Sequence, residues 1–422
     1  MLTVLTGLLV GVPAGPAVAA PSGPGSYAFA PGARSVEGGV GRADAGHLAP
    51  GRTYRSHLPA HGTLSYRLDL TAADTAYVPV TAVPPADATV SATDGIRVSV
   101  QDARGTPCSY SAARFGAAIS PRPVTALGRR EADRTVCQGA GTYYVVVERL
   151  GTFGGEGAAA RPWDLEIVPV TEPRLAHPGP TGAPQTWDSA TPEPLGGAPR
   201  DRSGGAGFAW ARSLGPGVWR TALAPGATQF YRVPLDWGRQ LYASAELAGS
   251  PGHGYVGGAL TLSLHNPVRG LVDDTSLGYT GTPKSAALAP LPPVAYANRY
   301  AVPAAVTSVR FAGDYYLVLH LSERVAATFG QGPFAVTLRV RLSGAAQAGP
   351  EYAGRPEPAG VFTVTARDRE AVLTGAGGGG TRMKLVAATG IGLGTALLLV
   401  LAVWTLAARR AQTRVNAQKP TA

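Results

Sequence analysis

Residues 58–70, LPAHGTLSYRLDL, return as residues 223–235, LAPGATQFYRVPL, at an offset of 165 residues. Further along, GTYYVVV at residues 141–147 returns as GDYYLVL at residues 313–319, at an offset of 172 residues. Offsets that differ by so little indicate two copies of one domain with small loop insertions. Two copies are too few for a solenoid, which needs at least three stacked units, so each copy closes its own core.

The repeated stretch has the two-residue period of a half-buried β-strand. Leu64, Tyr66 and Leu68 alternate with polar residues, so that one face of the strand is apolar. Further strands are predicted at residues 77–82, 96–101, 143–149 and 163–170 of copy one, and at residues 229–235, 241–246, 260–265, 315–321 and 334–342 of copy two. The pattern predicts an all-β fold class with two tandem β-sandwich, jelly-roll-like domains.

The two ends of the chain predict export and membrane anchoring. Residues 2–10 are apolar, and Ala17-Val18-Ala19 has the small-x-small pattern of a signal-peptide cleavage site. Residues 385–408 contain no charged residue, and a helix of that length spans about 36 Å, enough for a hydrocarbon core. Basic residues follow directly in the tail, which predicts a single pass with the N-terminus outside the cell membrane and a cytoplasmic C-terminus.

Pro- and Gly-rich stretches separate the predicted units. The boundaries are a signal peptide at residues 1–19, an extended segment at 20–35, copy one at 36–170, a linker at 171–205, copy two at 206–343, a spacer at 344–384, a transmembrane helix at 385–408 and a basic tail at 409–422. One short strand is expected inside the spacer, at residues 361–366.

Cys108 and Cys137 are the only cysteines, and both belong to copy one. An even pair in an oxidising compartment predicts a disulfide, which would pin residues 109–136 as one long loop. Two ligands cannot make a structural zinc site, so no metal or other cofactor is expected. Copy two has no such pair, and its corresponding long loop, residues 270–302, is expected to be unpinned.

Catalytic patterns are absent from the sequence. There is no Gly-x-Ser-x-Gly elbow and no His-Glu-x-x-His, and His57 and His61 stand four apart in a strand-turn context that does not align them. The net charge of +10 comes from scattered arginines, without the basic runs and interleaved aromatics that bind nucleic acid. The arginines are expected on an ordinary surface, with attraction to anionic wall polymers or lipid headgroups as the alternative.

The repeated aromatic residues raise the question of a sugar-stacking face. Their recurrence at equivalent sites in both copies favours core packing. In the pairs Tyr143-Tyr144 and Tyr315-Tyr316, however, one ring must point inward and the other outward. Tyr144 and Tyr316 are therefore the candidates for a binding surface, together with the two long loops in which the copies differ.

The Pro-Gly turns before Tyr54-Arg55 and Trp219-Arg220, the Tyr-Arg strand and the closing Gly-x-Tyr-Tyr strand resemble bacterial pre-peptidase C-terminal β-sandwich domains. Those domains are secreted accessory modules that often accompany enzymes. The combination with a C-terminal span also resembles extracellular regions of actinobacterial membrane proteins. The resemblance implies a module without its usual enzyme, and it transfers no functional residue.

Three functions follow as hypotheses. The first is a non-catalytic, membrane-anchored envelope protein that presents two β-sandwiches to a protein partner or the cell wall, as an accessory to another protein. The second is a carbohydrate- or peptidoglycan-binding module. The third is an enzyme with a site built from loops.

Overall fold

The computed structural model describes residues 26–151, 161–182, 186–193 and 195–374. Within them, copy one forms β1 (Arg34–Ser35), β2 (Gly46–Leu48), β3 (Tyr54–Leu58), β4 (Thr63–Leu70), β5 (Thr75–Val83), β6 (Gly95–Gln101), β7 (Pro107–Arg114), β8 (Val124–Arg130), β9 (Gly141–Leu150), β10 (Trp163–Ile167) and β11 (Val170–Glu172). Copy two forms β12 (Arg200–Asp201), β13 (Arg212–Ser213), β14 (Gly217–Leu223), β15 (Thr228–Leu235), β16 (Gln240–Leu247), β17 (Val256–His265), β18 (Leu271–Tyr279), β19 (Lys284–Ala287), β20 (Gly313–Leu321) and β21 (Phe334–Ser343). The described residues also form three short α-helices: α1 (Ala304–Ser308), α2 (Val325–Phe329) and α3 (Ala366–Thr374).

Each copy is a sandwich of two sheets, which confirms the predicted sandwich architecture. In copy one, the sheet β2-β4-β9-β6-β7 faces the sheet β1-β3-β10-β5-β11, where β8 also pairs with β5. In copy two, β13-β15-β20-β17-β18 faces β12-β14-β21-β16-β19. The strand order is the same in both copies: β19 pairs with β16 as β8 pairs with β5, and β10 and β11 together take the place of β21 beside β16.

The register is repeated as well as the strand order. Tyr66 pairs with Val145 between β4 and β9, and its equivalent Tyr231 pairs with Leu317 between β15 and β20. A slip of one residue would turn every core side chain outward, so the alternating pattern fixes this register in each copy. The duplication therefore covers the whole sandwich.

The inward-facing repeated aromatics belong to the two cores, as expected from their recurrence. Tyr66 is fully buried and its hydroxyl donates to Ser56 Oγ at 2.8 Å. Tyr231 is also buried, and its hydroxyl donates to Arg202 O at 3.1 Å. Burial raises the pKa of Tyr66 to about 12, so the phenol stays neutral and acts only as a packed hydrogen-bonding group.

Three sequence-based expectations about loops were wrong. The segment between the cysteines is not one long loop, because it contains most of β7 and all of β8. The segment 270–302 likewise contains β18 and β19. Since β7 is largely exposed and poor in large apolar residues, it lacks the alternating signal of a strand. Residues 361–362 form a turn and residues 363–365 have no regular structure, in place of the expected strand, and α3 starts at Ala366.

No helix among the described residues is long and apolar enough to cross a membrane. The predicted signal peptide at residues 1–19 and the predicted transmembrane helix at residues 385–408 lie outside the described residues.

The two sandwiches pack against each other along an extended contact, which we call the seam. Two apolar clusters lie in it. One joins Tyr27, before copy one, to Phe208, Phe230 and Val318 of copy two. The other joins Tyr77 and Val170 of copy one to Val268 and Phe311 of copy two, with Phe362 from the segment after copy two. Burial of these aromatic side chains stabilises the contact by the hydrophobic effect.

Three buried ion pairs cross the seam. In each pair, a glutamate of copy one meets an arginine of copy two within hydrogen-bond distance: Glu166 and Arg269 at 2.5 Å, Glu172 and Arg299 at 2.6 Å, and Glu131 and Arg310 at 2.7 Å. All six side chains are at most 10% exposed. Breaking such a pair leaves an uncompensated charge in a site of low dielectric, so the pairs fix how the copies fit together. These arginines are therefore not on the ordinary surface that the sequence led us to expect.

One close backbone approach completes the seam. The turn at residues 116–118 of copy one reaches Gly258 of β17, where a Cβ would lie 2.7 Å from Ala118 N. Gly258 also has a φ of 61°, which a side chain would strain. Beside it, Ser322 Oγ donates to Ala118 O at 3.1 Å.

The segment after copy two returns to copy one and crosses the seam. We call residues 345–374 the strap. Its Glu357 and Tyr352 form bridges to Thr171 and Leu175, and the Tyr352 hydroxyl donates to Glu172 Oε1 at 3.1 Å. The ring of Phe362 stacks on Phe311 with centroids 4.8 Å apart. The strap thus packs on both copies before the chain reaches the predicted membrane helix.

Candidate functional site

A cleft of about 450 Å³ opens at one end of the seam. We call it the junction cleft. Its walls include residues 132–133 of copy one, residues 172–179 from the end of β11 onward, the 3-10 helix Tyr296–Tyr300 of copy two, and Ala353 of the strap. A volume of this size is typical of sites for small ligands, which occur preferentially between domains.

The floor of the cleft is a rigid polar network around Glu172. Its carboxylate accepts from Arg299 Nη2 at 2.6 Å, from the Tyr77 hydroxyl at 2.9 Å and from the Tyr352 hydroxyl at 3.1 Å. Burial alone would lower the pKa of Arg299, but the neighbouring Glu172 carboxylate raises it above the usual value. The guanidinium lies 3.4 Å from the centre of the Tyr296 ring, in a cation–π contact. The floor therefore holds its charges in place before any ligand arrives.

Aromatic and charged side chains stand around the opening. Tyr300 is 39% exposed, and burial raises the pKa of the neighbouring Tyr296 to about 12. The side chains of Asp133 and Arg174 are exposed and form no hydrogen bond or ion pair with the described residues, while His177 Nε2 lies 3.7 Å from Glu351. An aromatic face beside free donors and acceptors can stack on an apolar surface and hydrogen-bond a polar edge of the same ligand.

The disulfide holds one wall of the cleft. Cys108 and Cys137 are bonded as predicted, with Cα atoms 5.6 Å apart. Next to them, the buried Arg130 donates to Cys137 O and Gln138 O at 2.7 Å. The wall residue Asp133 therefore lies on a turn whose two ends are fixed, and the adjacent Glu131 is fixed from the other copy by Arg310.

The junction cleft brings together the two segments in which the copies differ. Residues 132–133 belong to the disulfide-linked segment of copy one, and Tyr296, Arg299 and Tyr300 belong to the long insertion of copy two. The sequence analysis predicted that both segments contribute to a binding surface, because the two copies differ there. It did not indicate that they lie side by side.

The two tyrosines proposed for a binding surface have different surroundings. Tyr144 lies on the outward face of β9, with the guanidinium of Arg42 5.0 Å from its ring centre. Tyr316, its equivalent on β20, packs edge-on against Phe208 with centroids 5.1 Å apart, inside the seam. Burial raises the pKa of Tyr316 to about 12. Tyr316 is thus engaged in the contact between copies, neither tyrosine lines the junction cleft, and only Tyr144 stays a candidate for a second surface.

Other polar side chains outside the cleft are dispersed. His57 Nδ1 lies 2.7 Å from Asp164, and Asp273 accepts from Ala289 N at 2.8 Å. No group of three or more His, Cys, Asp or Glu side chains that could hold a metal ion occurs within the described part of the chain.

Sequence reasoning missed the residues that build the seam and the cleft floor. Each ion pair joins residues more than 100 positions apart, so no pattern of nearby residues in the sequence predicts it. One signal was available at Phe230. It occupies an outward position of β15 where copy one has Ser65, beside the inward Tyr231. Apolar side chains on both faces of a strand indicate that both faces are covered.

Comparison with known proteins gives no family. No family model and no curated protein matches the chain. Similar solved structures include the tandem CBM22 domains of a Paenibacillus barcinonensis protein (11% identity, 71% of this chain, 93% of that chain, TM-score 0.17). They also include the tandem CBM51 modules of a Streptococcus pneumoniae family 98 glycoside hydrolase (8% identity, 72% of this chain, 87% of that chain, TM-score 0.18). A third is the human MASP-1/3 CUB1-EGF-CUB2 fragment (8% identity, 68% of this chain, 99% of that chain, TM-score 0.16). With TM-scores this low, none of them supports a statement about this chain's ligand, and the resemblance to pre-peptidase C-terminal domains stays a prediction.

Proposed function

We propose that this chain is a non-catalytic binding protein of the bacterial cell envelope and that its junction cleft binds a cell-wall glycan. In this proposal the two sandwiches act as one unit, because the ligand touches both copies and the strap. The predicted helix at residues 385–408 anchors the protein in the cell membrane with the sandwiches outside.

The observation that carries the proposal is the convergence of segments from both copies and the strap on one polar cleft. Tyr300 offers an exposed aromatic face, and Asp133 and Arg174 offer free hydrogen-bonding groups around it. A sugar ring has apolar faces and a hydroxyl-bearing edge, which is the chemistry that such a set recognises. The net charge of +10 adds a general attraction for anionic wall polymers.

The sequence supports the non-catalytic part of the proposal, since it contains no known arrangement of nucleophile and base. An activity screen of the purified protein against wall and peptide substrates tests this part. If wild-type protein turned over a substrate and an Asp133→Asn or His177→Gln variant did not, the junction cleft would be a catalytic site and not only a binding site.

The binding test uses the full-length chain in detergent and purified peptidoglycan, with sedimentation of the insoluble polymer as the readout. Wild-type protein is expected to co-sediment, and soluble glycan fragments are expected to compete. Tyr300→Ala should weaken binding about 10-fold, the loss of one stacked aromatic contact of about 1.4 kcal/mol. The matched control is Tyr110→Ala, which removes a tyrosine that is 76% exposed on β7 and should bind like wild type.

Two results would contradict the proposal. One is equal binding by Tyr300→Ala and wild type. The other is a loss confined to Tyr144→Ala, which would move the glycan site to the outward face of copy one. If no wall polymer binds, cross-linking on intact cells that recovers one specific protein would favour the accessory role predicted from the sequence.

A further inference from the structure

A small cavity lies inside the seam, separate from the junction cleft. It has a volume of about 30 Å³. We call it the seam cavity. Its polar lining consists of Arg122 and Thr125 from copy one and of Thr261, Ser263, His265 and His320 from copy two. No carboxylate lines it.

Arg122 is the unusual member of this lining. The three arginines that copy two places in the seam each meet a glutamate. Arg122 has no carboxylate oxygen within 4 Å among the described residues, and Asp274 influences it only from farther away. Among the described residues, its polar contact is a hydrogen bond from Nη2 to Arg114 O at the long distance of 3.5 Å.

The other terminal nitrogen of Arg122 lacks a partner altogether. Nη1 is out of contact with solvent and has no hydrogen-bond acceptor within the described part of the chain. Burial lowers the pKa of Arg122 to about 10, which still leaves the guanidinium charged at neutral pH. A buried charge with unused donors is costly, and it is normally compensated by an anion or by ordered water.

The groups around Arg122 offer donors to a guest. His320 is already engaged through both ring nitrogens, with Thr228 Oγ1 at 2.9 Å and Ser120 Oγ at 3.0 Å. The hydroxyl of Thr261 has no partner among the described residues and can donate into the cavity. A positive charge with a free hydroxyl, and without a carboxylate, is the lining that a negative guest requires.

We propose that the seam cavity binds one small inorganic anion of the size of chloride, held by Arg122. The chemistry of the lining decides the class, because Arg122 and a free hydroxyl are donors and no carboxylate lines the cavity, and the small volume of about 30 Å³ favours a monatomic anion over a larger one. Since the lining comes from both copies, the anion binds the assembled seam and not the separated sandwiches. Bound anion therefore stabilises the two-domain unit by linkage.

Thermal unfolding of the full-length chain tests the proposal. Melting is compared in sodium chloride and in sodium gluconate at equal ionic strength, so that general charge screening is the same in both salts. At a chloride concentration ten times the dissociation constant, the melting temperature should be higher by about 2–4 °C in chloride. Arg122→Met should abolish this difference, whereas the control Arg97→Met, which changes an exposed arginine on β6, should retain it.

A second measurement does not depend on any variant. Crystals grown in sodium bromide should show an anomalous peak within hydrogen-bond distance of Arg122 Nη1. A cavity that holds only a water molecule in bromide would overturn the proposal. So would equal melting temperatures in the two salts, or a chloride effect that Arg122→Met leaves unchanged.

Discussion

Replacement of Glu166 by Gln removes one negative charge from the centre of the seam and keeps the shape of the side chain. Glu166 is fully buried, and its carboxylate accepts from Arg269 Nη1 at 2.5 Å, from the Tyr27 hydroxyl at 3.1 Å and from Ala30 N at 2.8 Å. The amide oxygen of Gln in the position of Oε1 can keep the bonds from Arg269 and Tyr27, but the amide NH₂ group cannot accept from Ala30 N. The charge of Arg269, only 10% exposed, would then stay buried without its counter-ion.

The free energy of unfolding of Glu166→Gln should fall by about 3–5 kcal/mol, the usual cost of breaking a buried pair on one side. The measurement is urea denaturation of the full-length chain in detergent, followed by tryptophan fluorescence and far-ultraviolet circular dichroism. A second variant, Glu166→Gln with Arg269→Gln, should recover at least about 1 kcal/mol, because the uncompensated charge is then gone.

Glu148→Gln is the matched control. Glu148 pairs with Arg97 at 3.0 Å, but the two side chains are 40% and 47% exposed. Exposed pairs contribute about 0–1 kcal/mol, so this variant should change stability little. If Glu166→Gln and Glu148→Gln were destabilised equally, within about 0.5 kcal/mol, the seam would not be the stabilising contact that its ion pairs indicate.

Three further predictions follow from the structure. Cys108→Ala with Cys137→Ala should lower the free energy of unfolding by about 3–4 kcal/mol. The disulfide joins residues 29 positions apart, and without it the unfolded chain regains the conformational entropy of that loop. An unchanged urea midpoint would contradict this. Burial lowers the pKa of His265 to about 4. Between about pH 6.5 and 4, this histidine is therefore protonated in the unfolded chain and neutral in the folded chain. The contribution of His265 to the free energy of unfolding should therefore fall by about 3 kcal/mol between pH 6.5 and 4, and His265→Gln should lose that part of the pH dependence in denaturation series across this range. Phe362→Ala should cost about 3–5 kcal/mol, because the ring is 3% exposed and stacked on Phe311; a thermal unfolding curve like that of wild type would mean that the strap is only loosely attached.

The strands of each core could be predicted because their burial repeats every two residues. Ile96, Val98 and Val100 are fully buried on β6, and Leu260, Leu262 and Leu264 are buried at the equivalent positions of β17. Such strands carry their own signal, and the repeat doubles it. Strand β7 has no such signal, since its side chains lie mostly at the surface at an edge of the sheet.

The seam and the junction cleft could not be predicted in the same way. Arg299 and Glu172 are 127 residues apart, and each looks like an ordinary surface charge in its own segment. Likewise, Tyr300 and Asp133 line the same cleft only because two complete sandwiches dock in a particular orientation. That orientation depends on the shape and charge of whole faces, which no local pattern encodes.

Hydrogen–deuterium exchange on the full-length chain tests the central claim most directly, with soluble peptidoglycan fragments as the ligand. Bound ligand should slow exchange together at residues 132–133, 172–179 and 296–300, which wall the junction cleft from both copies. Protection confined to the outward face around Tyr144, or no protection in any of these segments at saturating ligand, would contradict the account.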